Sequence, residues 1–272
     1  MRISIEHETV YRYAEPASYS IQALHLKPLD MAGQKVVSWR LQIPANASLR
    51  ETRDVYGNVL QMLYVERPHE EIALKVTGEV ETADQNGLVV LSQERFAPTF
   101  YLRQTALSTP DEAVIALAER ARVESDRSPL DIAHRLMEKV RDALDYQVGE
   151  TNAATTAAEA LMRGAGVCQD HAHVFIAAAR HLGIPARYVS GYLWPDADAH
   201  HEAGHAWAEA HVEGLGWVGF DVANRICPTA NYVRVASGLD YLEAAPVRGL
   251  RCGGGAETLE VHLRVAEAAQ QQ

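Results

Sequence analysis

Gly164-Ala165-Gly166-Val167-Cys168-Gln169-Asp170-His171-Ala172-His173, continuing through Val174-Phe175-Ile176-Ala177-Ala178-Ala179-Arg180 to His181-Leu182-Gly183, reads as a tight turn, a helix and a stop. The helix is expected to start near Cys168 and run to Leu182. Gly183 supplies a left-handed C-terminal residue, and Pro185 prevents continuation. Three strand candidates follow in a row, over 186–193, 206–212 and 216–221. Upstream, Thr109-Pro110-Asp111-Glu112 offers a hydroxyl cap, a first-turn proline and acids for the positive dipole end. Ser128-Pro129-Leu130-Asp131 repeats that signal. It opens a helix with Ile132, Leu136, Val140 and Leu144 at helical spacing. A third helix is expected over 157–162. Helices grouped before strands predict an α+β unit.

The N-terminal part has a different period. Ile3, Ile5, His7 and Thr9 alternate onto one face of a strand. Further strands are expected over 19–27, 35–43, 48–56, 60–65 and 70–81, with Gly57-Asn58 as a hairpin turn between two of them. Pro28, Pro44 and Pro68 fall at the ends of runs, where they cost no ladder bond. These short strands predict a β-sandwich over 1–85. Residues 83–108 read as an irregular connection, and the catalytic unit is placed at 86–272. Its tail holds the glycine-rich Cys252-Gly253-Gly254-Gly255, expected as a flexible loop. An alternating strand over 258–265 and a frayed end over 266–272 follow.

The 272 residues suffice for one large domain or two modest ones, and 47% hydrophobic against 22% charged residues is an ordinary globular balance. The formal net charge of −11 argues against nucleic acid or an anionic membrane as partner, because both repel it. Three cysteines, Cys168, Cys227 and Cys252, cannot all pair with one another and have no CxxC spacing, so neither a disulfide framework nor a thiolate zinc site is expected. The start, Met1-Arg2-Ile3-Ser4-Ile5-Glu6-His7-Glu8, lacks the apolar core of a signal peptide. No apolar run approaches the ~20 residues of a membrane span. A cytoplasmic location is expected, where a free thiol survives.

Cys168 at a helix start faces the positive end of the macrodipole and unpaired N–H groups, which favour negative charge on sulfur. His205, in the strand His205-Ala206-Trp207-Ala208-Glu209, can serve as its base. Asp221, closing Gly216-Trp217-Val218-Gly219-Phe220-Asp221, can hold the imidazole from a neighbouring strand, about 5 Å away across an antiparallel pair. Together the three are the parts of a thiol nucleophile for acyl transfer. Each alone has a plainer reading: Cys168 as core filling, His205 as a half-buried strand residue, Asp221 as a turn cap.

The words GAGVCQDHAHVFIAAARHLGIPARYVSGY (164–192) and HAWAEAHVEGLGWVGFD (205–221), with Asn224, resemble the transglutaminase-like superfamily in its bacterial cysteine-peptidase-like branch. HETVYRY (7–13) and the β-rich run after it resemble the β-domain that precedes the catalytic domain there. The resemblance covers nearly the whole chain. It implies an α+β fold in which a β-sandwich precedes a papain-like or transglutaminase-like core, its Cys-bearing helix packed on an antiparallel sheet. It implies the triad Cys168, His205 and Asp221, and hydrolysis of a peptide or carboxamide bond. Two departures stand out. Val222 replaces the proline that often follows the acid, and His171 stands where the branch often has an aromatic.

The Cys168 backbone N–H is the first expected oxyanion donor. Tyr146 is a candidate second donor, Gln169 a weaker one, and His171 could tune the thiolate or line the pocket. Trp207 is expected to shape the acyl pocket or pack under the base. His171, His173, His200, His201, His205 and His211 cluster here, yet lack zinc-site spacing, so no metal and no dissociable cofactor is expected. Loop 195–204 reads as a flap over the cleft, and Cys227 as a thiol near the site or simply buried. The expected partner is a peptide or amide substrate. Transamidation onto an amine, a peptide-binding module without catalysis, and a metal-dependent hydrolase are the alternative readings.

Overall fold

A computed structural model describes residues 1–194 and 204–268 of the chain. Its N-terminal sheet is organised by one long strand, β1 (Arg2–Leu24), followed by β2 (Gln34–Gln42), β3 (Ala47–Arg53), β4 (Val59–Val65) and β5 (His69–Thr82). Register slips between Arg12 and Ala17, around Pro16, so β1 serves two half-sheets. Its first half pairs with β5, and its second half with β4. β2 extends the first half-sheet on β5, and β3 the second on β4. The halves fold over each other as a β-sandwich, burying Leu63 and Val65 of β4 with Ile72, Leu74 and Val76 of β5. The Gly57-Asn58 turn closes the β3–β4 hairpin. Asp54 fixes it, its Oδ1 accepting from the Tyr56 and Asn58 N–H groups at 2.9 Å each.

A short β6 (Leu88–Val89) and two 3-10 turns, Pro98–Leu102 and Ala106–Ser108, interrupt the connection expected to be irregular. α1 (Glu112–Val123) starts later than the Thr-Pro signal suggested. Asp111 is its cap, accepting from the Val114 N–H at 2.9 Å, while the Thr109 hydroxyl donates back to the Thr105 carbonyl. α2 (Pro129–Ala143) has the expected Ser128 cap. β7 (Asp145–Tyr146), α3 (Ala157–Arg163) and β8 (Ala165–Gly166) lead into α4 (Cys168–His181). A second sheet follows with β9 (Ala186–Leu193), β10 (His205–Val212), β11 (Gly216–Phe220) and β12 (Tyr232–Gly238), in the order β12-β9-β10-β11-β6.

α4 is buried from Asp170 to Arg180. A helix apolar on every side belongs in the centre of a domain. α4 packs on β10, and its alanines share one core with Ala206, Ala208 and Ala210 of that strand; Val174, Phe175 and Ile176 are fully buried and contribute roughly 1.5–3 kcal/mol each. Arg180, near its C-terminal end, is buried but solvated by protein. It donates to the carbonyls of Tyr101, Ala186 and Leu239 and to Ser108 Oγ at 2.7–3.1 Å, pinning both 3-10 turns.

A short α5 (Tyr241–Ala244) precedes β13 (Val247–Gly253) and β14 (Glu257–Glu267). The sequence places this tail in the catalytic unit at 86–272, yet both strands pair antiparallel with β1. β14 lies beside the first half of β1 and β13 beside the second. Alternation identifies a strand but not its partner, which a contact over 200 residues away decides. Cys252 and Gly253, expected in a flexible loop, instead pair with β1 at the end of β13, and 254–256 make the turn to β14. Of the expected frayed end, Ala266 and Glu267 pair with β1 as the last residues of β14, and 269–272 lie outside the described residues. Ile3, Ile5 and Val80 join the same core as α4, which seats the sandwich against the unit that carries α4.

Candidate active site

The turn before Cys168 is built from its neighbours. β8 pairs parallel with β7, placing Gly166 beside Tyr146. Asp170 Oδ2 accepts from the Val167 N–H at 2.7 Å and from Thr151 Oγ1 at 2.7 Å, holding the first turn of α4 in place. A Cβ on Gly166 would lie 2.6 Å from that carboxylate oxygen, so only glycine fits there. Cys168 thus opens α4 with the N–H groups of the first turn around it.

His205 opens β10 and is nearly fully buried. Its Nε2 lies 2.6 Å from Asp221 Oδ2, and the Cys168 thiol is a hydrogen-bond partner of the same imidazole. With Nε2 given to the carboxylate, Nδ1 is the nitrogen that serves the sulfur. Asp221 is fully buried and completely hydrogen-bonded: Oδ2 also accepts from Tyr232 Oη at 2.6 Å and Asn224 Nδ2 at 2.7 Å, and Oδ1 from the Asn224 N–H at 3.2 Å. Burial works against charge on both partners. For His205 it is outweighed by the Asp221 charge and by hydrogen bonds to Asp221 and Cys168, and the imidazole is pushed up to about 10. For Asp221, burial is outweighed by His205, Tyr232 and Asn224, which hold the carboxyl below its usual range. The geometry is that of an imidazole clamped between a carboxylate and a thiol.

The thiol and the imidazole border a cavity of about 550 Å³. Cys168 and His205 line it, and Asp221 sits behind His205. Tyr146 and Gln169 also line it. The Tyr146 hydroxyl, pushed up to about 12 first by burial and then by Cys168, remains a donor. His171 departs from its expected place. Its Nδ1 faces the Val167 carbonyl at 2.9 Å and its Nε2 the Leu144 carbonyl at 3.2 Å, so it fastens the start of α4 to the end of α2 and is buried away from the cavity. Trp207 does not line the cavity either. It packs beneath the base, 6.2 Å from the His205 ring and 5.4 Å from Tyr232. Cys227 packs against Gly87, away from the cavity.

His173 accepts from the Tyr241 N–H at 3.1 Å and is pushed down to about 3 by burial, so it is a neutral tie between α4 and α5. Among the described residues no group of three or more His, Cys, Asp or Glu could hold a metal ion. His200, His201, Glu202 and the rest of the expected flap, 195–203, lie outside the described residues. Among the described residues no helix is long and apolar enough to cross a membrane.

Sequence reasoning missed Asp170, Tyr188 and Tyr232. Asp170 carried a signal, an acid three residues after Val167 at a helix start. Tyr188 and Tyr232 carried none, because strands far apart in sequence bring them to the site. Gly191 of β9, paired with His205, was also unmarked. A Cβ there would lie 2.1 Å from the Val233 carbonyl oxygen and 2.7 Å from Trp207. Gly191→Ala is expected to cost about 1–3 kcal/mol in urea unfolding and to displace His205. An unchanged unfolding midpoint would show that the backbone there yields freely.

Residues 116–222 match the model of the Transglutaminase-like superfamily, and residues 3–81 that of the Bacterial transglutaminase-like N-terminal region. "Uncharacterized protein ML0607" of Mycobacterium leprae is 31% identical, over 98% of this chain and 99% of that protein. "Uncharacterized protein Rv2569c" of Mycobacterium tuberculosis is 28% identical, over 92% of this chain and 87% of its own length. The crystal structure of a "Putative Cysteine Protease from Cytophaga hutchinsonii" superposes with a TM-score of 0.78 at 22% identity, over 100% of this chain and 92% of that one, and so shares the fold. The chain belongs to the transglutaminase-like superfamily.

Proposed function

We propose that the protein is a cysteine-dependent acyl-transfer enzyme that hydrolyses a peptide or carboxamide bond through a thioester. The observation that carries this reading is the buried His205, bonded at 2.6 Å to Asp221 and hydrogen-bonded to a thiol at a helix N-terminus. Cys168 gives its thiol proton to the His205 imidazole, and Sγ attacks the carbonyl carbon, forming the S–C bond. The carbonyl electron pair moves to oxygen, where the Cys168 N–H, with the Tyr146 hydroxyl as second donor, meets the oxyanion. The C–N bond breaks as the His205 imidazolium gives its proton to the leaving amine. Water then attacks the thioester, neutral His205 accepts its proton, and collapse releases the carboxylic acid and restores the thiol–imidazole pair.

The test is the rate of Cys168 alkylation by iodoacetamide between pH 5 and 9, in the wild type and in His205→Ala. Thiolate attacks the iodomethyl carbon and iodide leaves. The wild type is expected to react fast at the acid end and the variant to lose that reactivity by about tenfold or more. A thiol equally slow in both proteins defeats the reading and leaves a peptide-binding module. Peptide amides with and without a primary amine as acceptor then separate hydrolysis from transamidation. Insensitivity to a chelator separates both from metal-dependent hydrolysis.

A further inference from the structure

The cavity before Cys168 has two walls of different origin. Cys168, Tyr188, Gly191 and His205 belong to the catalytic core, whereas His7, Thr9 and Tyr11 of β1 with Leu259 and Val261 of β14 belong to the sandwich. Tyr11 is the register partner of Leu259, and Thr9 of Val261, so these four side chains form one patch on adjacent strands. The chain's two ends therefore meet to build the surface that faces the nucleophile. About 550 Å³ is more than one side chain fills and lies in the range of pockets that enclose a whole small ligand.

The described residues that line this cavity include no Asp, Glu, Lys or Arg. That is notable in a chain with a formal net charge of −11. Its polar groups away from the nucleophile are largely occupied. Ser190 Oγ donates to the Ala244 carbonyl at 2.6 Å. His7 sits between Tyr192 Oη at 3.0 Å and Thr9 Oγ1 at 3.1 Å, and burial pushes it down to about 4, so it is neutral at physiological pH. Away from His205, a charged side chain entering here would lose its hydration and meet no Asp, Glu, Lys or Arg among the described lining residues. Leu259, by contrast, is 54% exposed although it borders the cavity, an apolar group that a bound chain can cover.

We infer that the cleft selects an uncharged acyl chain, aromatic or branched aliphatic next to the reacting carbonyl, and that Tyr11, Leu259 and Val261 of the sandwich determine that specificity. The inference rests on Cys168 as nucleophile only in placing the carbonyl. It gives the sandwich a role in substrate choice.

Two measurements test it separately from the reaction itself. In Cys168→Ser, binding of N-acetyl-phenylalanine amide, N-acetyl-leucine amide and N-acetyl-glutamate amide is titrated by NMR. The first two are expected to bind on the order of tenfold tighter than the glutamate compound. Leu259→Lys is expected to remove that preference and Leu259→Met to keep it. In the wild type, alkylation by N-(2-phenylethyl)iodoacetamide is compared with iodoacetamide and iodoacetate, each divided by its rate with glutathione. The aromatic reagent is expected to be favoured by about tenfold, and iodoacetate disfavoured. Equal binding of the three amides, or a preference untouched by Leu259→Lys, overturns the inference even if alkylation is fast. Slow alkylation alongside selective amide binding overturns the proposed reaction instead and leaves the selective cleft standing.

Discussion

Asp221→Asn is expected to lower hydrolysis of a susceptible peptide amide by about 10³–10⁴-fold while leaving the chain folded. The Asp221 carboxylate takes four hydrogen bonds, one from an imidazole and the others from Tyr232 and Asn224. An amide has only one acceptor oxygen, so its NH2 must face either a ring N–H or a backbone N–H, donor against donor. It also carries no charge to offset burial of the imidazolium. Burial then prevails, and the His205 proton should leave well below the value near 10 that it holds beside Asp221. Titration of the His205 ring by NMR checks this, and a urea midpoint measured alongside separates lost catalysis from lost fold. The sign of the pH effect follows. His205 is raised above its unfolded value of 6.5, so its contribution to stability is complete below pH 6.5 and fades as pH rises toward about 10. The wild type should lose stability across that window and Asp221→Asn should lose less. Activity within tenfold of wild type would mean that Asp221 is structural.

The parts of this site written locally were legible, and the parts made by long-range pairing were not. Cys168, with its glycine-rich turn and Ala-rich helix, announces a buried helix start, and α4 begins at that residue. The strands of His205 and Asp221 alternate clearly, and β10 and β11 fall within a residue of where the period placed them. Ile3, Ile5, His7 and Thr9 share the buried face that their spacing predicts. What failed was assigning partners. The tail strand over 258–265 was evident as a strand, but its pairing with β1 depends on a register no local pattern encodes. The cavity's second wall was invisible for that reason. His171 misled because two backbone carbonyls, at Val167 and Leu144, claim a ring that sequence proximity assigned to the nucleophile. Tyr232 reaches Asp221 although β9 and β10 lie between β12 and β11 in the sheet, a contact no local pattern encodes.

Glu209→Gln is expected to destabilise the protein by about 3–5 kcal/mol, the cost of breaking a buried ion pair from one side. Glu209 is fully buried four residues beyond His205 on β10 and accepts from two arginines: Arg187 Nε at 2.6 Å and Arg234 Nε at 2.8 Å. Arg187 is itself buried, 3.9 Å from the Trp217 ring centroid, and its second partner is the more exposed Glu94 at 3.2 Å. Glutamine keeps the shape but presents one neutral oxygen and two N–H donors to two guanidinium groups, leaving positive charge uncompensated. The wild-type acid limit carries the same signature. Burial raises the Glu209 carboxyl, but the two arginines outweigh it and hold it at about 2, below the usual 4.5. Its contribution to stability is therefore complete above pH 4.5 and lost as pH falls toward 2. Urea unfolding at pH 7 and pH 3 checks both points. The wild type should weaken between these conditions more than Glu209→Gln, which has already lost the interaction. Removing all three charges together, as Arg187→Met, Glu209→Leu and Arg234→Met, should cost less than the single change, because no buried charge is then left alone. If the triple variant is instead the weakest, the network fixes the packing of β9, β10 and β12 beyond its charge balance. His205, on the same strand, should then lose its hold on Cys168 as well.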